Sequence, residues 1–79
     1  MDEFSRSDRV TMATACAREG RAADEDERLH CAEDFHDLAA RLWGSVGECG
    51  LAALHRGKAL KARRLQDEAM RDMEEELAL

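Results

Sequence analysis

The side chains of this sequence best able to ligate a metal or move a proton near neutral pH are Cys16, Cys31, Cys49, His30, His36 and His55. Two pairings, Cys31-x4-His36 and Cys49-x5-His55, superficially supply two thiols and two imidazoles, the donor set of a structural Zn²⁺ site. Neither has the i, i+4 or short-knuckle spacing such sites use. An antiparallel turn near residue 47 would also place Cys31 several helical turns from Cys49. The expectation is no metal and no cofactor, with the thiols as small buried side chains and the histidines as exposed or partly buried helix positions.

Catalytic groups are equally sparse. A reaction site needs nucleophile, base and oxyanion donors converging in one pocket. The chain has no glycine-rich phosphate loop, no H-E-x-x-H and no G-x-S-x-G. No enzyme is predicted.

The remaining chemistry is charge, and it comes in blocks. Residues 24–37 hold seven acids against Arg28, and residues 65–79 hold six acids against Arg71. Between them lie Arg56, Lys58, Lys61, Arg63 and Arg64 with no acid among them. Five cations in so short a stretch are a candidate nucleic-acid patch. However, the whole chain carries a formal net charge of −6, and the block has no interleaved aromatic and no Asn or Gln to read a base edge. The ordinary expectation is that this block runs beside the acidic start of the second helix and matches its charge, within or between subunits. A second alternative is that Asp24, Glu25, Asp26, Glu27, Glu33, Asp34 and Asp37 form an acidic face that occupies a basic cleft elsewhere.

The elements that must position these groups are helical. Proline and tyrosine are absent, Phe4, Phe35 and Trp43 are the only aromatics, and Ala, Leu, Arg and Glu dominate. A short first helix over 5–18 starts after Ser5 or Ser7, carries Val10, Met12, Ala13, Cys16 and Ala17, and stops at Gly20. A second helix over 24–43 begins on an Asp24/Glu27 capping box, with four carboxylates in its first turn where the helix dipole favours them. Its apolar stripe is Leu29, Ala32, Phe35, Leu38, Ala39, Leu42 and Val46. A glycine-rich turn over 44–50 follows, with Gly44 ending one helix and Ser45 with Glu48 capping the next. A third helix over 51–77 carries Leu51, Leu54, Ala62, Leu65, Ala69, Met73 and Leu77. The competing reading is one continuous helix, since Phe35, Ala39, Leu42, Val46, Cys49 and Ala53 keep heptad-like spacing through the glycines.

The sequence therefore predicts a single all-α domain over 1–79: a hairpin of two long antiparallel helices with a short N-terminal helix, paired into a dimeric bundle. Two helices cannot enclose their own apolar stripes, and a chain of this length buries little surface alone. The alternative is a monomeric three-helix bundle closed by the first helix. No apolar run approaches the roughly 20 residues that span a bilayer, and Met1-Asp2-Glu3 is the opposite of a basic signal start. Together with an odd number of cysteines lacking C-x-x-C spacing, this predicts a cytoplasmic protein. The functional expectation is a non-enzymatic module of adaptor, anti-activator or inhibitor type. It would bind another protein, with a homodimer as the base state, through Phe35, Leu38, Leu42, Trp43, Leu51 and Leu54. Trp43 is the candidate hot spot, its plainer role being to close the hairpin end.

Overall fold

The computed structural model describes residues 4–78, and these residues are all-helical. Three helices follow in order: α1 (Arg6–Glu25), α2 (Leu29–Ser45) and α3 (Cys49–Ala78). None is long and apolar enough to cross a membrane. α2 is the central element, because α1 and α3 each pack along it and barely meet one another.

The helix starts and stops follow from local chemistry. Ser5 caps α1 in a reciprocal box, its hydroxyl accepting from the Asp8 backbone N–H at 3.1 Å while the Asp8 carboxylate accepts from the Ser5 N–H at 3.3 Å. Both interhelical turns are the same device. At the end of α1 the Arg28 N–H donates to the Ala23 carbonyl and the Glu27 N–H to the Asp24 carbonyl; at the end of α2 the Glu48 N–H donates to Trp43 and the Gly47 N–H to Gly44. These paired bonds require a left-handed residue between them. Gly47 supplies it at φ 83° without steric cost, whereas Glu27 adopts φ 58° against the preference of a side-chain-bearing residue.

Several sequence expectations are corrected here. The first helix does not stop at Gly20. It runs 20 residues to Glu25, so it is longer than the 17-residue α2. Gly20 is an interior position whose missing side chain makes room for α2. The second helix does not begin at Asp24, which sits in the last turn of α1. The carboxylates of residues 24–27 therefore lie at the negative end of a helix dipole, with Arg28 3.5 Å from Asp26 as local compensation. The chain does break at the glycine-rich segment, which excludes the continuous helix, but Gly47 rather than Gly44 takes the left-handed position.

The core is built from small residues. Ala13, Gly20 and Ala23 of α1, Ala32, Ala39 and Ala40 of α2, and Ala52, Ala59 and Ala62 of α3 are buried, and among the described residues only His36 and His55 join them as larger side chains. Small side chains let helix axes approach closely. They also leave the larger apolar residues at the rim, where Met12, Leu38, Leu51, Leu54, Leu60 and Leu65 are all exposed. Polar ties fix the ends. The Gln66 side-chain amide donates to Glu33 Oε1 at 2.9 Å, and Arg6 and Arg9 of α1 donate to the Val46 and Ser45 carbonyls at 3.3 and 3.4 Å. Those two arginines thus satisfy orphan carbonyls at the α2 C-terminus and complement its dipole.

Candidate functional site

At the centre of the molecule three side chains from three helices form a hydrogen-bonded chain. Asp24 Oδ2 of α1 lies 2.8 Å from His36 Nε2 of α2, and His36 Nδ1 lies 3.1 Å from His55 Nδ1 of α3. The two imidazoles stack with centroids 5.3 Å apart and 22° between their planes. His36 is 0% exposed and its ring faces Gly20, where a Cβ would stand 2.7 Å from the nearest ring atom. Gly20 is thus required by close approach.

The proton positions follow from donor and acceptor inventory. An ionised carboxylate only accepts, so His36 Nε2 carries a proton directed at Asp24. A neutral His36 then has a lone pair at Nδ1, which accepts from His55 Nδ1–H. His55 Nε2 is left as the free lone pair at the end of the chain. It has no protein partner and is not sealed from solvent, since the only buried, unpartnered side-chain nitrogen or oxygen among the described residues is Trp43 Nε1. Burial first, then the neighbouring His36 and Lys58, hold the His55 pKa below the ordinary histidine value. Elsewhere, burial and then Glu19 push the Cys16 thiol up, which disfavours its thiolate.

Above this chain, between α1 and α3, runs a groove with two hollows that share Lys58. One of about 320 Å³ is lined by Ala17, Arg18, Arg21, Leu54, His55 and Lys58. The other, of about 630 Å³, is lined by Asp24, Glu27, Leu29, Lys58, Lys61, Ala62 and Leu65. Among the described residues, no ion pair or hydrogen bond engages Arg18, Arg21, Lys58 or Lys61.

The residues singled out from sequence are scattered by comparison. Phe35, Leu42 and Trp43 are half-buried on α2, while Leu38, one turn from both Phe35 and Leu42, is exposed. Leu51 and Leu54 are exposed on α3, and Leu54 lines the smaller hollow. The basic block disperses around α3 as well: Lys58 and Lys61 line the groove, whereas Arg56, Arg63 and Arg64 are exposed outside it. Lys58 and Lys61 do line the larger hollow with Asp24 and Glu27, but among the described residues none of the five cations forms a salt bridge.

The histidines need correction. His30 is solvent-exposed, as expected, whereas His36 and His55 are core residues. Neither Cys31 nor Cys49 joins them, and among the described residues no group of three or more His, Cys, Asp or Glu side chains is arranged to hold a metal ion. A signal for the pair existed. Ala52, His55, Ala59 and Ala62 keep a three-and-four spacing, as do Ala32, His36 and Ala39, so each histidine sits in phase with small core residues.

No protein-family model, curated protein or solved structure matches the chain.

Proposed function

We propose that this protein is a non-enzymatic association module, acting in the cytoplasm, whose first partner is a second copy of itself bound through α3. One observation carries this reading. The row Lys61, Leu65, Ala69, Met73 and Leu77 repeats every four residues along α3, and the chain leaves it uncovered: Leu65 is 37% exposed, Met73 62% and Leu77 84%. A row spaced by four is the ridge that packs against another helix. Gln66 contacts the Leu29 carbonyl at the start of α2, so the residues beyond it, roughly 18 Å of helix, project past their own bundle.

Charge selects a second copy over an unrelated helix. The helix that carries the ridge is basic at one end, through Lys61, Arg63 and Arg64, and acidic at the other, through Asp72, Glu74, Glu75 and Glu76. Two such ridges crossing antiparallel at Ala69 bring Leu65 against the second copy's Met73. They also lay each basic end along the other's acidic end, and a two-fold axis repeats the match. Among the described residues, Lys61, Arg63 and Arg64 have no ion pair that this pairing would disrupt. The free cysteines suit a reducing compartment. The dispersal of the basic block around α3 weakens the alternative of a nucleic-acid patch.

Light scattering after size exclusion tests this reading. The expected mass is twice the 8.9 kDa of the chain at concentrations up to about 100 µM, a weak-to-moderate affinity typical of a small interface. Met73→Glu should restore the monomer mass, and reversing both ends with Lys61→Glu and Glu76→Lys should pair better than either change alone. A monomer mass for the wild type throughout that range would refute the proposal.

A further inference from the structure

We propose that the hollow beside His55 is a binding site for a small tetrahedral oxyanion such as phosphate, and that occupancy is coupled to protonation of the Asp24–His36–His55 chain. This site does not rest on the pairing of α3: Leu54 lies about three helical turns before Leu65, and half of the lining comes from α1.

The lining carries the argument. Arg18 and Arg21 of α1 and Lys58 of α3 surround a concavity of about 320 Å³ that contains no carboxylate. Among the described residues, none of the three has a hydrogen bond or ion pair. Three unneutralised cations around one hollow repel one another, and an anion among them removes that repulsion and supplies acceptor oxygens for the guanidinium forks. A basic rim alone is ordinary surface. The second feature is the buried His55, which lines this hollow and whose Nε2 has no hydrogen-bond partner and is not sealed from solvent.

Nε2 makes the site conditional. In the neutral chain it presents a lone pair, which repels an oxyanion oxygen. When Nε2 takes up a proton it becomes a donor, while Nδ1–H still donates to His36 and His36 still donates to Asp24. The other charged groups around this ring are Arg18 and Arg21 from α1, Lys58 from α3, and the Asp24 carboxylate behind His36 of α2. Bound oxyanion therefore favours protonated His55, and protonation favours oxyanion, by the same factor.

The probes are inorganic phosphate and sulfate, titrated at about pH 5.5 and pH 7.5 with ionic strength held by chloride, while histidine ring nitrogens are followed by NMR. Saturable shifts of the His55 ring are expected for both anions, with tighter binding at the lower pH. Sulfate is informative because it carries no proton to donate over this range. If only phosphate bound more tightly at low pH, the ligand rather than His55 would be supplying the proton, and the coupling would be refuted. Arg18→Gln with Arg21→Gln, both at exposed positions, should weaken binding by about tenfold or more with the melting curve unchanged. His55→Gln should abolish the pH dependence of sulfate affinity. Linear shifts equal to those produced by chloride, or unchanged affinity in the double arginine variant, would overturn the site.

Discussion

Gly20→Ala is the sharpest probe of the packing around His36. A Cβ at residue 20 would stand 2.7 Å from His36 Cε1, 2.9 Å from Nδ1 and 3.0 Å from Nε2. The ring cannot turn aside freely, because one nitrogen is bonded to Asp24 and the other to His55, and none of the side chain reaches solvent. Overpacking of this kind costs about 1–3 kcal/mol. Pulling the ring from the carboxylate weakens a charge-assisted hydrogen bond worth roughly 1.5–3 kcal/mol. Alanine returns only about 1 kcal/mol as a better helix former than glycine. The net effect should be a destabilisation of about 2–3 kcal/mol, which lowers Tm by roughly 10–20 °C in a domain of this size. Gly57→Ala is the internal control. It also lies inside a helix, but an added Cβ meets nothing within 4 Å, so it should gain stability by up to about 1 kcal/mol. Thermal melts by circular dichroism, run side by side, give both values. If Gly20→Ala melted as high as Gly57→Ala, the wedging of His36 against α1 would be refuted.

Two further perturbations have defined signs. Because burial, His36 and Lys58 lower the His55 pKa, the folded chain binds that proton less readily than the unfolded one. This contribution is whole above about pH 6.5 and is lost as pH falls below it toward the folded pKa, so wild-type Tm should drop over that interval. His55→Gln should drop less, and parallel losses would show that another group governs the acid limb. Glu27→Gly should stabilise the fold by about 1 kcal/mol, since Glu27 holds the left-handed turn position that Gly47 fills without strain. Urea denaturation reads this directly, and a lower midpoint would mean that the Glu27 side chain contributes more than its backbone costs.

The sequence alone determined the helical class, because a proline-free chain rich in Ala, Leu, Arg and Glu has little competing propensity. It also narrowed the first start to Ser5 or Ser7, of which Ser5 is the cap, and marked the break among the glycines, since capping and left-handed turns depend on a few neighbouring residues. The end of α1 was not legible. Glu27 stops that helix although its residue type argues against it, and Gly20 continues the helix although its type argues for a stop. At Gly20 the close approach of His36 from α2 overrides local preference. The phase of the core was hidden for a related reason. The largest apolar residues draw a stripe through Leu38, Leu51 and Leu54, yet the helices approach along alanines, so those leucines remain at the surface. Only the tertiary structure could place Asp24, His36 and His55 in one line. They lie 12 and 19 residues apart, and their hydrogen bonds exist only once three helices have closed to the distance that small side chains permit.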